Sequence, residues 1–386
     1  MKTTKTILVC MLAAVFGLTS CTKESINPYN GEGEDIEMTI TTNVLGIAES
    51  QARALMTNVQ ETAISEVRVI AFNTTHQYLY TANGRVENMT QGSGNTSAAH
   101  GNNGLATADI KFTAKKSAAN VYFVVIANAN TQVDAVVPEG TASSSTTKAA
   151  IYSNTNMRRV MGSKTTKWTA TTIPMIGETA NAGQQINDAT PKIAVNLQRM
   201  LARIDVNMGT LIAPTPAGGS FELKSVSLYD YNNGGHIAPG QTLLQGAGAF
   251  GATTTWAVPR GTTPYSDHMT YNATGGTLTR EIYTFERTIG AAGTANPTTL
   301  VIGGVFKSTA HTNPTNAVSY YKLELKDGSG NLPINRNHSY NVTITSVNGP
   351  GFPTEPPVFD TQTVTLGATI VQWTNKPITG SLEGPL

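Results

Sequence analysis

Short runs of alternating apolar and polar residues are the feature of this 386-residue sequence that most restricts its fold. In the segment 36–41, Ile36, Met38 and Ile40 alternate with a glutamate and two threonines. A period of two is typical of a strand with one face in the core and the other in solvent. The run Asn120–Ala127 is almost wholly apolar instead, which predicts a strand buried on both faces.

The segments between these runs are rich in glycine, threonine and asparagine, which favour turns over helices. Only the segment 148–151 predicts a short helix. Strands spaced by turns predict an all-β fold of the β-sandwich type. The length of the chain and a break near residue 190 predict two such sandwiches, one in 54–190 and one in 191–386.

The charged and metal-binding side chains give no sign of a catalytic or nucleic-acid-binding site. Charged residues make up 13% of the sequence and the net charge is +1, so the chain has no basic stripe to displace counterions from nucleic acid. The six histidines lack metal-ligand spacing and predict solvated loop positions. Asp327–Asn331 lacks the closing glutamate of a calcium loop and predicts a hairpin turn, and Gly303–Gly304 predicts a bulge. We predict no enzyme activity, no metal and no cofactor.

The N-terminus has the pattern of an export signal. Lys2 and Lys5 precede the apolar run Ile7–Leu18, which is too short to span a bilayer. Small residues then lead to Cys21, an arrangement that resembles the lipobox of bacterial lipoproteins. The resemblance implies that residues 1–20 are removed and that Cys21 carries lipid, such as palmitate, which anchors the precursor in an outer membrane. An ordinary secretory peptide with an incidental cysteine is the alternative.

The C-terminus carries a separate strand-forming arm. Pro353–Pro357 predicts a semi-rigid, extended spacer. Beyond it, apolar residues alternate with glycine and threonine, and a tryptophan follows with shifted parity: Val364, Leu366, Ala368, Ile370 and Trp373. This alternation predicts an arm, residues 358–386, that forms a strand after the second sandwich is complete.

A lone arginine lies between the first two predicted strands. Arg53 stands in the stretch S-Q-A-R-A-L-M-T at 50–57, a loop-like segment of small residues that a protease could reach. Arg68 is nearby, but it lies inside a predicted strand, where a protease would reach it poorly. The residues alone leave open whether Arg53 is a solvated loop charge or a processing site.

Five features, in this order, resemble the fimbrillins of Bacteroidetes, the subunits of their major and minor fimbriae. The first is the lipobox with a following strand and arginine. The others are four segments, the last of them followed by the terminal arm: Glu66–Asn73, Ile173–Gly177, Leu197–Val206 and Arg336–Ile344. The resemblance covers nearly the whole chain and rests on the order and spacing of these segments.

This resemblance implies two transthyretin-like β-sandwiches in tandem and a route of assembly. An arginine-specific protease cuts the lipoprotein precursor after the first strand, so that by position Arg53 is the cut residue, Ala54 the new N-terminus and 21–53 the propeptide. The displaced strand carries three apolar residues: Ile36, Met38 and Ile40. The arm of another subunit then fills the vacated place. The implied partners are copies of this chain or related subunits, the protease and the outer membrane.

The predicted function is that of a structural subunit in the stalk of a surface fimbria that supports adhesion, with host or bacterial surface receptors as further partners. A fimbrial tip or anchor subunit is one alternative. A surface lipoprotein that binds glycans on exposed aromatic residues is another, with four candidates: Trp168, Trp256, Tyr265 and Tyr271. For these aromatic residues, packing under loops is the competing and favoured interpretation.

Overall fold

A computed structural model describes much of the chain between residues 33 and 373. The described residues are 33–45, 56, 58–90, 105–161, 163, 165–180, 182–190, 192–213, 215–239, 257–258, 267–287, 296–309, 317–327, 330–355 and 366–373. Together they form 22 strands and three short helices, so the predicted all-β class is confirmed.

The described elements fall on either side of Met200. Those before it are β1 (Asp35–Leu45), α1 (Asn58–Thr62), β2 (Val67–Asn73), β3 (Tyr78–Thr90), β4 (Leu105–Lys115), β5 (Ser117–Ala127), α2 (Asn130–Asp134), α3 (Lys148–Ser153), β6 (Arg158–Val160), β7 (Met175–Glu178), β8 (Gln184–Ile186) and β9 (Ile193–Arg199). Those after it are β10 (Leu201–Met208), β11 (Ser220–Tyr229), β12 (Tyr231–Asn232), β13 (Gly234–His236), β14 (Ala257–Val258), β15 (Met269–Asn272), β16 (Thr277–Phe285), β17 (Thr299–Lys307), β18 (Ser319–Glu324), β19 (Lys326–Asp327), β20 (Gly330–Asn331), β21 (Ser339–Val347) and β22 (Leu366–Trp373). The predicted helix at 148–151 is confirmed as part of α3, and the predicted hairpin at Asp327–Asn331 is confirmed because β19 pairs with β20.

Strands β1 to β5, β7 and β9 form a closed ring. Neighbours in the ring are, in order, β2, β3, β4, β1, β9, β7 and β5, and β5 pairs in turn with β2. β8 adds to the ring by pairing with β5 at Ser117 and Val121. Among the described residues, each of the seven ring strands pairs with two others, so none of these seven is a free edge strand, whereas β8 pairs only with β5.

The ring is packed with apolar side chains on the inside and, at β2 and β5, also on the outside. Ile40 and Phe123 belong to the inner core. Tyr122, on the opposite face of β5, packs in a second core with Ile151 of α3. The run Asn120–Ala127 is therefore covered on both faces along most of its length, as its continuous apolar character predicts.

Two four-stranded sheets follow the ring. One has the order β16-β10-β21-β22 and the other the order β15-β11-β17-β18. Their buried side chains share one core, for example Ile204, Val226, Ile302 and Val342. The two sheets are therefore the layers of a β-sandwich. The tandem transthyretin-like arrangement implied by the fimbrillin resemblance stays a prediction.

The chain changes from the ring to the sandwich at Met200. β9 pairs with β1 and β7 in the ring, whereas β10 pairs with β16 and β21 in the sandwich. Met200 alone separates the two strands. Apolar residues continue through both strands and do not mark where the hydrogen-bonding partner changes. The division into domains at residue 190 stays a prediction.

The bulge predicted at Gly303–Gly304 lies on the opposite strand. Leu223 faces Gly304 and Ser225 faces Gly303, so the extra residue is Lys224 of β11. Gly304 has another role, because a Cβ atom there would lie 2.1 Å from the Phe221 ring. The glycine makes room for that ring.

Candidate strand-exchange site

β1 closes the ring by lying between two strands that are distant in sequence. It runs antiparallel to β4, with Asp35 opposite Lys115 and Leu45 opposite Leu105. It runs parallel to β9 over a shorter stretch, from Ile40 opposite Ile193 to Val44 opposite Leu197. The removal of β1 would therefore open the ring between β4 and β9 and leave both with unpaired backbone groups.

Alternate side chains of β1 fill the inner core of the ring. Met38, Ile40 and Val44 are at most 4% exposed, whereas Ile36 is only half-buried. Burying the first three contributes roughly 6 kcal/mol gross at about 1.5–3 kcal/mol each. Thr42 points inward among them and donates a hydrogen bond from its hydroxyl to the Ala108 carbonyl at 3.0 Å. If β1 left, the sites that Met38, Ile40, Thr42 and Val44 now fill would form a groove lined mainly by apolar side chains.

The outward face of β1 is polar and only partly exposed. Thr41 donates to the Asp109 carboxylate at 2.8 Å, and Lys111 lies 3.6 Å from Glu37. Surface contacts of this type typically contribute well below 1 kcal/mol each. The stability of β1 in the ring therefore comes mainly from its inner face and its ladders of backbone hydrogen bonds.

The proposed cut falls between β1 and a segment that belongs to a different core. Arg53 and Ala54 lie outside the described residues, as does Cys21. Met56 lies just beyond the cut. It is buried in the core that contains the sandwich side chains and the outer face of β5, and not in the inner core of the ring. A break at Arg53 would thus separate a strand that can leave the ring from a segment that remains packed.

Glu61 of α1 fastens that remaining segment to the sandwich. It is fully buried, and Arg203 of β10 donates to both of its carboxylate oxygens at 2.8 and 2.9 Å. Tyr283 of β16 donates to Glu61 Oε1 at 2.6 Å, and Arg199 Nε donates to the Glu61 backbone carbonyl at 2.8 Å. These contacts join residues more than 130 positions apart in the chain.

The electrostatics of this cluster keep Glu61 ionised. Burial alone would raise the pKa of Glu61, but the guanidinium groups of Arg203 and Arg199 and the Tyr283 hydroxyl lower it below its ordinary value. Burial lowers the pKa of Arg199 to about 10. Asp205 lies 2.9 Å from Arg203, yet burial raises the pKa of Asp205. The sequence gives no local signal for Glu61, because its partners come from β9, β10 and β16.

The C-terminal strand β22 lies at the edge of its own sheet. It pairs antiparallel with β21, with Leu366 opposite Val347 and Trp373 opposite Ser339. Among the described residues β22 has no neighbour on its other side in that sheet. The predicted donor residues Ala368 and Ile370 lie in this strand, while Val364 lies outside the described residues.

The sandwich also holds the chain shortly before β22. Phe352 and Tyr320 form a pair of backbone hydrogen bonds at 2.8 and 3.0 Å. The Tyr229 hydroxyl donates to Glu355 at 3.0 Å. The arm therefore extends from a fixed point on the sandwich, and an exchange of β22 would not require the rest of the sheet to move.

The histidines do not all occupy solvated loops. His236 of β13 is buried, and burial lowers its pKa. Its burial contradicts the loop prediction, because the glycine-rich segment around it folds into a strand that pairs with β6. Among the described residues, no group of three or more histidine, cysteine, aspartate or glutamate side chains is placed to hold a metal ion.

Two of the aromatic candidates for glycan stacking are buried. Trp168 is 6% exposed and Tyr271 is 2% exposed, so neither is an exposed platform; Trp168 packs in the core from a loop, whereas Tyr271 packs there from strand β15. Trp256 and Tyr265 lie outside the described residues. Within the part of the chain that the structure describes, no helix is both long and apolar enough to cross a membrane.

Comparisons with known proteins give relatives in structure only. No protein-family model matches the chain, and no curated protein matches its sequence. A candidate cell adhesion protein from Parabacteroides distasonis ATCC 8503, solved at 2.34 Å, has 16% sequence identity and a TM-score of 0.51; the match covers 87% of this chain and 97% of that protein. A second such protein from the same strain, solved at 2.05 Å, has 13% identity and a TM-score of 0.50, over 88% and 100% of the two chains.

A fimbrial protein is also among the structural neighbours. The C-terminally truncated tip fimbrial protein Mfa3 from Porphyromonas gingivalis has 13% identity and a TM-score of 0.45, over 88% of this chain and 100% of that chain. The fold of this chain is shared with the two solved proteins from Parabacteroides distasonis.

Proposed function

We propose that this chain is a structural subunit of a surface fimbria and polymerises by exchange of strands between subunits. The observation that carries the proposal is the place of β1, which closes a ring of strands and is joined to the rest of the chain through the segment that contains Arg53. Loss of β1 would turn a ring without edges into an acceptor with two open edges, β4 and β9.

The dimensions of β22 support its role as the incoming strand. β22 spans eight residues, which covers the five-residue parallel pairing of β1 with β9 from Ile40 to Val44 and most of the 11-residue length of β1 along β4. β22 already forms an antiparallel ladder with β21, so its backbone is competent to pair on at least one side. The arm is held at a sheet edge, which is the place from which a strand leaves with the fewest broken hydrogen bonds.

The energetics favour cleavage as the trigger. While β1 remains covalently attached, its effective concentration near the groove is high, on the order of millimolar or more for a short linker. A cut at Arg53 removes that advantage, and a neighbouring arm can then compete for the same groove. Because the acceptor groove and the arm are different surfaces of one molecule, the contact is heterologous and extends into a filament when it does not close into a ring.

The maturation of the precursor belongs to the same proposal. Lipid on Cys21 would hold the chain at the outer membrane until an arginine-specific protease cuts after Arg53, and the mature subunit would then begin at Ala54. A chain with both an acceptor groove and a donor arm suits the stalk, where each subunit has a neighbour on both sides. Receptors on host or bacterial surfaces are the proposed partners of the assembled fimbria.

The Arg53→Ala variant tests the processing step. We expect it to remain monomeric, because β1 stays tethered to its groove. The measurement is SDS gel electrophoresis of unboiled samples from the producing cells, in which fimbrial polymers run as a ladder. Arg85→Ala is the control, since Arg85 is an exposed arginine of β3 and its loss should leave the ladder intact. A ladder in the Arg53→Ala lane would show that this cut is not required.

Labelling tests the position in the fimbria. We expect antibodies against this chain to mark the shaft along its length in electron micrographs. Label confined to one end of each filament would assign the chain to the tip or to the anchor and would contradict the stalk proposal.

A further inference from the structure

A surface cavity of about 360 Å³ lies where the chain passes between β6 and β7. Three cationic side chains line it: Arg158, Arg159 and Lys167. The other described residues that line it are neutral, and they include Thr166, Thr169 and Gln132. The cavity thus combines positive charge with hydroxyl and amide groups, and no carboxylate is among its described lining residues.

The walls of the cavity are held in place from both sides. β6 pairs antiparallel with β13, so that Arg159 lies opposite Gly235. The Trp168 ring packs edge-on against Phe285 of the sandwich at a centroid distance of 6.0 Å, and its Nε1 donates to the Ala170 carbonyl at 3.1 Å. A pocket built on paired strands and the buried Trp168 side chain is preorganised, and preorganisation lowers the free-energy cost of binding a ligand.

Two of the cations lie over aromatic rings. The Arg159 guanidinium is 5.7 Å from the centre of the Trp168 ring, and Lys167 Nζ is 4.4 Å from the centre of the Tyr271 ring. Burial lowers the pKa of Lys167, although Glu281 partly offsets this effect. A partly desolvated ammonium group gains from an anionic neighbour, and a guanidinium group offers paired N–H donors to carboxylate or sulfate.

We propose that this cavity binds an acidic sugar, that is, a saccharide unit carrying a carboxylate or a sulfate group. Its volume lies in the range of small-ligand sites, about 300–1,000 Å³. Arg159 and Lys167 would receive the acidic group, and the hydroxyls of Thr166 and Thr169 would bond to sugar hydroxyls. This recognition depends on charge, so it needs no exposed aromatic platform. The lining residues belong to neither β1 nor β22, so the proposal is independent of strand exchange.

Calorimetric titration of the unprocessed chain tests the proposal. The probes are a sulfated heparin disaccharide, its unsulfated counterpart with only the carboxylate, the neutral disaccharide lactose, inorganic sulfate and an oligoglutamate peptide. We expect one molecule of at least one acidic disaccharide to bind per chain, and lactose not to bind. Inorganic sulfate should bind at least about tenfold more weakly, because it makes only the charged contacts.

Variants distinguish binding in this cavity from binding to positive charge elsewhere on the surface. Arg159→Gln and Lys167→Gln should each weaken binding of the acidic disaccharide by about tenfold or more. Lys224→Gln removes an exposed lysine of β11 and should leave the affinity unchanged. Circular dichroism shows whether each variant is folded, and two cavity variants are used so that at least one reports on binding. Equal binding of lactose or inorganic sulfate, tighter binding of the peptide, or unchanged affinity in both cavity variants would overturn the proposal.

Discussion

A disulfide that joins β1 to β4 is expected to stop polymer formation, and reduction of that disulfide is expected to restore it. Thr39 and Lys111 are direct partners in the antiparallel ladder and point away from the inner core, so cysteines there should leave the packing intact. Direct partners on antiparallel strands have Cα atoms about 4.5–5.5 Å apart, within the range that a disulfide bridges. Once it is locked, β1 remains in its groove even after the chain is cut at Arg53.

The measurement is the ladder on unboiled, non-reducing gels, with and without reductant. The oxidised Thr39→Cys, Lys111→Cys chain should run as a monomer, and reduction before assembly should give a ladder of normal length. A matched control places the disulfide between β3 and β4 at the partners Thr90 and Thr107, which leaves β1 free and should allow polymers. Polymers formed by the oxidised β1–β4 chain would mean that the subunit assembles without releasing β1.

The loss of the Glu61 carboxylate should cause the largest change in stability. Glu61→Gln removes one of the two carboxylates that Arg203 contacts and the negative charge beside Arg199, and removing one member of a buried ion pair typically costs about 3–5 kcal/mol. The free energy of unfolding from urea titration at pH 7 measures the effect. Glu37→Gln is the control, because its carboxylate is exposed beside Lys111 and its loss should cost less than about 1 kcal/mol.

The difference in free energy of unfolding between wild type and Glu61→Gln should decrease as the pH falls. The pKa of Glu61 in the folded chain lies below its ordinary value of 4.5, so its carboxylate stabilises the folded chain fully above that value. As the pH falls through the folded pKa, Glu61 takes up a proton and the difference should shrink. Subtracting the variant removes the contribution of carboxylates that do not interact with Glu61; Asp205 is not among them, because burial and the Glu61 charge both raise its pKa. A difference that stays constant from pH 7 to pH 3 would contradict this account of the cluster.

The strands of the ring were predictable because their side chains alternate or are continuously apolar. Ile36, Met38 and Ile40 predict a half-buried strand, and β1 contains all three, with Thr42 and Val44 continuing the same face. The run Asn120–Ala127 predicts a doubly covered strand, and residues from α3 supply the outer cover. These patterns record burial, which is a local property of each segment.

The pairing of strands and the buried ion cluster were not predictable in the same way. Apolar residues alternate in both Ile193–Leu197 and Ile204–Met208, yet nothing in this pattern shows that β9 and β10 belong to different sheets. Glu61 and Arg203 look like ordinary surface residues in sequence, because their attraction depends on a contact across 142 positions. His236 was misplaced for a related reason, since glycine-rich sequence favours loops but here forms a strand that pairs with β6.

Two of the segments that resemble fimbrillins have a structural explanation. Leu197–Val206 contains two arginines that donate hydrogen bonds to Glu61, Arg199 and Arg203. The segment Arg336–Ile344 begins with a buried arginine, whose guanidinium donates to the backbone carbonyls of His236 and Ile237 at 2.9 and 2.6 Å. Both segments therefore hold distant parts of the chain together, whereas the proposed strand exchange would depend on β1 and β22.

The structure of an isolated filament, determined by electron cryomicroscopy, tests the central claim most directly. The account predicts that residues 35–45 are absent and that residues 366–373 of the next subunit lie between β4 and β9. A filament in which β1 still lies between β4 and β9, with β22 still paired to β21 of its own chain, would contradict it.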